Sequence, residues 1–110
     1  MSGDEWGDFE LDLTEAKITK FDDYTFAGAK SLKKIRMPKT INTFGYGIFD
    51  KDSAIKEITF TSDNPIGGIA YLSAIPKGQL TINIPKSMEA WFTTNPQASK
   101  LYQTATINVY

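Results

Sequence analysis

The chain repeats itself with a period of 23 residues, and this period constrains its fold more than any other feature. When the sequence is shifted by that interval, six large apolar residues coincide with six others. A period between about 20 and 29 residues indicates a solenoid, in which each turn buries its apolar face only against its neighbours. The coinciding pairs are Ile18 with Ile41, Phe21 with Phe44, Phe26 with Phe49, Leu32 with Ile55, Ile35 with Ile58, and Met37 with Phe60.

Apolar residues at alternate positions predict one short strand in each turn. The pattern continues toward the N-terminus with a slip of one residue, because Leu11 and Leu13 precede Ile35 and Met37 by 24 residues. Since each strand is reached by a full turn in the same direction, the strands are expected to be parallel in one sheet. The four predicted strands cover residues 10–13, 34–37, 57–61 and 80–84.

The sequence predicts a single domain. A chain of 110 residues, 41% of them apolar, can fill one core but is too short for two. The third turn is a degenerate repeat, since it keeps the length but replaces two phenylalanines by a segment containing Gly67 and Gly68, which favours a tight bend. The predicted parts are a disordered or capping leader at 1–9 and one domain at 10–110, with repeats at about 10–37, 38–60 and 61–84 and a C-terminal cap at 85–110.

The predicted cap consists of two short helices and a strand. Ser87 is suitable as the N-cap of a first helix that carries Trp91. Asn95 followed by Pro96 is a typical start for a second helix. Residues 106–110 are expected to form a last strand beyond the fourth one.

The composition excludes several classes of function. Without cysteine or histidine, the chain has no disulfides, thiol nucleophiles, Cys/His zinc sites or imidazole bases. Its net charge of -1 does not favour nucleic acid or an anionic membrane as partner. No window approaches the roughly 18 apolar residues of a membrane span. Because no nucleophile and base pair, metal set or cofactor loop is present either, we expect no catalysis, no metal and no cofactor.

The first repeat matches the repeat unit of a known family at Ile18, Phe21, Phe26, Leu32, Ile35, Met37 and Pro38. That unit reads approximately I-x-x-I-x-x-x-A-F-x-x-C-x-x-L-x-x-I-x-[IL]-P, and the chain therefore resembles the BspA-like leucine-rich repeats of bacterial surface proteins. Departures occur where Thr25 and Ile48 replace the usual alanine, and where Thr61 replaces the proline of the second unit. None of them removes a large apolar residue.

The resemblance implies a fold and a class of function. The implied fold is a leucine-rich-repeat solenoid, a right-handed β/α-type superhelix with irregular or short-helical outer connections and a small C-terminal helical cap. The implied function is non-catalytic adhesion to a host or bacterial surface protein or glycan, in an extracellular or cell-surface location, with any signal or anchor outside this sequence. The alternative is a structural spacer or terminal cap of a larger surface protein, with no ligand of its own.

The exposed face of the sheet is the predicted binding surface. If Ile35 and Met37 point inward, alternation sends Lys34 and Arg36 to the opposite face. The planar guanidinium of Arg36 suits a carboxylate partner. The alternative is that this face carries only cross-strand ion pairs that keep the sheet soluble. The predicted partner-binding residues are Lys34, Arg36, Glu57, Thr59, Thr81 and Asn83.

Aromatic residues and the N-terminal edge give two further hypotheses. Tyr24, Tyr46, Tyr71 and Tyr102 are chemically able to stack on sugars or bases, but they are expected to pack within the protein instead. Trp6 lies in an acidic leader and is expected either to cover the first strand or to contact a partner. Since an uncovered sheet edge exposes hydrogen-bonding groups, a homodimer through the N-terminal strand is the second hypothesis.

Overall fold

The computed structural model describes residues 9–50 and 54–110, and Trp6 lies outside them. Within these ranges the chain forms short strands, two short α-helices and 3-10 turns at Ile69–Ala74, Lys86–Met88 and Lys100–Gln103. The strands are β1 (Phe9–Asp12), β2 (Lys20–Phe21), β3 (Leu32–Arg36), β4 (Thr43–Phe44), β5 (Glu57–Thr59), β6 (Thr81–Ile84) and β7 (Thr106–Val109), and the helices are α1 (Glu89–Thr94) and α2 (Pro96–Ser99).

Five of the strands form one parallel sheet in the order β1-β3-β5-β6-β7. Its central row consists of Leu11, Ile35, Ile58, Ile82 and Ile107, each opposite the next. The same positions are aligned by the sequence repeat, so the predicted strands and their parallel direction are confirmed, with ends that differ by one or two residues. A five-stranded parallel sheet with short helices is compatible with a solenoid.

A second, shorter row of backbone pairing was not predicted from the sequence. Strands β2 and β4 pair in parallel, with Phe21 opposite Phe44. Gly67 continues this row, because its carbonyl accepts from the Phe44 N–H at 2.7 Å and its own N–H donates to Asn42 at 2.8 Å. The predicted bend follows directly, since Gly68 has a φ of 80° and precedes the turn Ile69–Ala74.

The core lies between these two rows of backbone pairing. One row of phenylalanine rings runs along it, with centroid distances of 6.4 Å between Phe21 and Phe44, 6.0 Å between Phe44 and Phe60, and 6.5 Å between Phe60 and Phe92. All four side chains are buried, and burial of such a side chain stabilises the fold by about 1.5–3 kcal/mol. Because Phe92 belongs to α1, the repeats and the C-terminal segment share one core.

The C-terminal segment confirms one predicted helix cap and corrects the other. The Asn95 side chain accepts hydrogen bonds from the N–H groups of Gln97 and Ala98 at 2.9 and 3.0 Å, and α2 begins at Pro96. The prediction for Ser87 was wrong, because Ser87 lies inside the turn Lys86–Met88 and α1 begins only at Glu89, with no side-chain cap. The completely buried Met88 explains this, since placing it in the core requires a turn directly after the strand.

Candidate binding surface on the sheet

The outer face of the five-stranded sheet carries two rows of polar side chains. Alternation places them opposite the apolar central row, in which Ile35, Ile58 and Ile82 are buried. The first row is Glu10, Lys34, Glu57, Thr81 and Thr106, and the second is Asp12, Arg36, Thr59, Asn83 and Asn108. All six residues predicted to bind a partner therefore stand in the expected register on neighbouring strands.

Hydrogen bonds and one ion pair tie the middle of this face together. The Lys34 ammonium lies 3.5 Å from the Glu57 carboxylate, and the Asn83 amide donates to Glu57 and, at 3.0 Å, to the Thr59 hydroxyl. Asn108 in turn donates to the Asn83 carbonyl oxygen at 3.3 Å. Since the ion pair is solvent-exposed, it adds at most about 1 kcal/mol. These contacts agree with the alternative hypothesis, in which the polar side chains of this face pair with one another across the strands.

A shallow depression of about 300 Å³ lies on the same face. Thr81 does not line it, whereas the other five predicted residues do. Its lining is Glu10, Lys34, Arg36, Glu57, Thr59, Asn83 and Tyr110.

Tyr110 is the residue of this site that sequence reasoning missed. Its hydroxyl donates to the backbone carbonyl of Phe60, and its side chain remains largely exposed. A signal existed, because Tyr110 follows Asn108 by two residues, and alternation along an extended chain places both on the same face. The sequence predicts residues 106–110 as the last strand of the sheet and assigns them no part in binding.

Arg36 is the charged residue of the depression with the greatest capacity for a partner. Its guanidinium makes no hydrogen bond or ion pair with the residues that the structure describes. Asp12, its neighbour on β1, accepts hydrogen bonds from Thr14, from the hydroxyl at 2.6 Å and from the N–H at 3.0 Å. These two hydrogen bonds, and to a smaller extent Arg36, hold the pKa of Asp12 below its usual range. Five guanidinium N–H donors are therefore available to an incoming acceptor.

The tyrosines do not follow the expectation that they pack inside the protein. Tyr24, Tyr46, Tyr71 and Tyr102 are all exposed, although each contacts another ring. Phe92, by contrast, is buried, and Trp91 packs partly buried beside it.

Other candidate chemistry is not supported by the described part of the chain. In that part, no group of three or more acidic residues is arranged to hold a metal ion. Among the same residues, none of the helices has the length and apolar character needed to cross a membrane.

The spacing of the strands along the chain shows the class of protein to which this fold belongs. Its strands recur at register intervals of 23 to 25 residues, from Ile35 to Ile58 to Ile82 to Ile107, which defines a repeat protein built on a parallel sheet. The family model described as "BspA type Leucine rich repeat region (6 copies)" matches residues 9–75, which is more than half of the chain. The chain belongs to this family of BspA-type leucine-rich repeats.

The family membership confirms the resemblance and points to a protein-interaction module that is generally not enzymatic. Repeats of this type typically occur in surface proteins. The match ends at Ile75, before the C-terminal helices. Comparisons with curated proteins and with solved structures found no match.

Proposed function

We propose that this chain is a non-catalytic binding module of a bacterial surface or secreted protein, and that it binds a protein or glycan through the depression on the outer sheet face. The observation that carries this proposal is the Arg36 guanidinium, which lies in the depression without a hydrogen bond or ion pair to the described residues. A second charge without such a partner, the Glu10 carboxylate, lines the same depression.

The chemistry of the depression favours a ligand with a carboxylate group. A guanidinium presents two parallel N–H donors to a carboxylate, which adds geometric specificity to the attraction of the charges. The exposed ring of Tyr110 offers a flat apolar wall beside Arg36, and Thr59 and Asn83 supply polar atoms. An acidic side chain or an acidic sugar meets these requirements, and about 300 Å³ is enough for one such group.

The proposed architecture is a right-handed solenoid formed by residues 9–110, with residues 1–8 as a leader, because Phe9 already belongs to β1, one residue before the predicted boundary. It is supported by the strand order of the five-stranded sheet, because successive repeats supply neighbouring parallel strands. Crossover connections between parallel strands are right-handed in about 98% of cases, because a right-twisted strand packs its connection back onto the sheet only in that hand.

The experiment is binding of the purified chain to a panel of host matrix proteins and acidic glycans, with Arg36→Glu as the paired variant. We expect a ligand that loses about tenfold or more in affinity when the charge is reversed, because Arg36 would then repel the carboxylate. Lys100→Glu is the matched control, since it makes the same change of charge at an exposed residue outside the depression. Arg36→Lys keeps the positive charge but removes the planar guanidinium with its paired N–H donors. We expect this variant to bind the ligand more weakly than the native chain.

The outcomes separate the hypotheses. Unfolding curves that coincide for the native chain and Arg36→Glu show that any loss of binding is local. Ligands that bind both forms equally would contradict a site centred on Arg36. No binding across the panel would favour the alternative, a structural spacer or terminal cap of a longer surface protein.

We also propose that the edge strand β1 mediates homodimer formation when the leader does not cover it. Within residues 9–50 and 54–110, β1 pairs only with β3, and Phe9 at its start is 48% exposed. Unpaired N–H and C=O groups of an edge strand readily pair with a second copy. Sedimentation of the native chain and of residues 9–110 tests this proposal: a leader that caps β1 predicts a monomer for the former and an oligomer for the latter. A shortened chain that stays monomeric would count against it.

A further inference from the structure

Three exposed tyrosines form a row on the side of the repeats that carries β2 and β4. We call Tyr24, Tyr46 and Tyr71 the tyrosine ladder; their side chains are 46%, 55% and 38% exposed. The ring centroids are 5.6 Å apart between the first pair and 5.5 Å apart between the second, with interplanar angles of 88° and 82°. None of the three lines the depression on the sheet face, so the ladder is a separate surface.

The backbone N–H group of each tyrosine in the ladder makes a hydrogen bond. Tyr24 donates its N–H to the carbonyl of Tyr46 at 2.9 Å, and Tyr46 donates its N–H to the Asp23 carboxylate at 2.8 Å. Tyr71 donates its N–H to the carbonyl of Gly68 at 3.0 Å. A hydrogen bond therefore anchors the backbone of each tyrosine, to the neighbouring turn for Tyr24 and Tyr46 and within its own turn for Tyr71.

Tyr24 occupies a position that the next repeat gives to glycine. The sequence repeat aligns it with Gly47, and the two residues have φ angles of 60° and 64°. A bulky side chain in this left-handed region is strained, and such residues persist only where the surrounding structure holds them; they cluster at binding sites. The Tyr24 ring also lies against Gly47, where an added Cβ would be 2.5 Å from the Cε1 atom of Tyr24.

A notch of about 160 Å³ opens between Tyr46 and Tyr71. Two nearly perpendicular rings form its walls, and Asp50 contributes a carboxylate. Among the described residues, neither lysine nor arginine lines it. The remaining lining residues are Gly47, Ala70, Ser73 and Ala74. Its volume exceeds the roughly 30 Å³ of one water molecule several times, which leaves room for a guanidinium or ammonium group.

We propose that the tyrosine ladder binds a linear basic segment of a partner protein, with an arginine or lysine head group in the notch between Tyr46 and Tyr71. A cation within about 6 Å of a tyrosine centroid is attracted by the negative face of the ring, and recognition of quaternary ammonium groups uses several such rings as the walls of a cage. A pyranose ring, in contrast, stacks on one flat aromatic face, which two perpendicular neighbours do not provide together.

The charges around the ladder complement a cation. Asp23 and Asp50 lie beside it, and partial desolvation, followed by Tyr46 and these two carboxylates, raises the pKa of Tyr24. The Tyr24 hydroxyl therefore keeps its proton to a higher pH than an ordinary tyrosine does.

The test is an NMR titration of the 110-residue chain with hexa-arginine, and separately with hexa-glutamate and chitohexaose. We expect hexa-arginine to shift the ring signals of Tyr46 and Tyr71, and added salt to weaken the effect. Tyr46→Leu should lose about two- to fivefold in affinity, which corresponds to one exposed cation–π contact. Tyr46→Phe keeps the ring and should stay within about twofold of the native chain. Tyr102→Leu is the matched control, because it removes an exposed tyrosine outside the ladder.

Three results would overturn the proposal. The first is the absence of shifts at Tyr46 and Tyr71 with hexa-arginine, and the second is an affinity that Tyr46→Leu does not change. The third is a stronger shift of the same signals by chitohexaose, which would assign the notch to a neutral sugar. If Tyr46→Leu fails to fold, Tyr71→Leu replaces it, since this side chain also lies outside the buried core. Because only ring signals of the ladder are read, the outcome is independent of binding at Arg36.

Discussion

The sheet face and the tyrosine ladder are two exposed surfaces on the same repeats, and they differ in what connects their members. On the sheet face, side chains bond to one another, as Lys34 does with Glu57 and Asn83 with Thr59. In the ladder, a hydrogen bond from the backbone N–H holds each residue, and neighbouring rings contact edge to face. The repeat therefore fixes the inward residues strictly, while the outward positions remain available for different binding chemistry.

Both surfaces depend on one core, and Phe60→Ala tests this dependence with the largest expected effect. Phe60 is buried in contact with Phe44 and Phe92. Truncation of a buried phenylalanine costs about 3–5 kcal/mol. We expect chemical denaturation to show a loss in the free energy of unfolding of this size, with one transition for signals from both surfaces. If the ring signals of Tyr46 stayed native while those of Tyr110 were lost, the two surfaces would belong to separate folding units.

Gly47→Ala should affect the ladder more than the sheet face. The substitution places a Cβ in the left-handed region and 2.5 Å from the Tyr24 ring. We expect the free energy of unfolding to fall by about 1–3 kcal/mol, from the sum of backbone strain and crowding. The Tyr24 ring signals should shift, whereas the amide of Asn83 should not.

The matched control for this change is Gly78→Ala. Gly78 also has a positive φ, of 87°, but an added Cβ there meets no atom within 4 Å. Its substitution should therefore cost only the backbone strain, about 1–2 kcal/mol. Equal losses for the two variants would show that the contact between Gly47 and the Tyr24 ring contributes nothing to stability.

Asn83→Ala should weaken the sheet face and leave the ladder unchanged. The Asn83 amide donates to Glu57 and Thr59 and accepts from Asn108, so its removal breaks hydrogen bonds to both neighbouring strands, β5 and β7. We expect a loss of about 1–2 kcal/mol in the free energy of unfolding by urea denaturation. Asn108→Ala removes only a single longer bond and should cost less; a reversed order would contradict the central role of Asn83.

The sequence predicted the inward half of the molecule better than the outward half. Inward residues such as Ile35 and Ile58 repeat because each must fill the core. Alternation along the strand then places the neighbouring Lys34 and Arg36 on the opposite face of the sheet. The short pairing of β2 with β4 was missed, since two residues are too few for an alternating pattern.

The ladder was missed for a different reason. Its tyrosines are spaced 22 and 25 residues apart, which departs from the period of 23 on either side. Only the turns that place Tyr24 at a positive φ and Tyr71 after Gly68 bring the rings together. Alternation from Asn108 indicates the face on which Tyr110 lies, but its hydrogen bond to Phe60, 50 residues away, has no local signal.

The smallest expected effect concerns Asp12, and it tests why Arg36 makes no hydrogen bond or ion pair with the described residues. Two hydrogen bonds from Thr14 lower the pKa of Asp12 in the folded state, so the stability that they supply is present above the ordinary carboxyl pKa, about 3.9, and is lost as the pH falls through the folded value. Thr14→Val removes the hydroxyl donor and should raise this pKa toward its usual value, measured by an NMR titration of the Asp12 carboxyl carbon. Thr14→Ser keeps a hydroxyl and should preserve the lowered pKa. An unchanged pKa in Thr14→Val would mean that the hydroxyl contributes little and that the N–H of residue 14 together with Arg36 holds Asp12 ionised, which would leave the guanidinium less available to a carboxylate ligand.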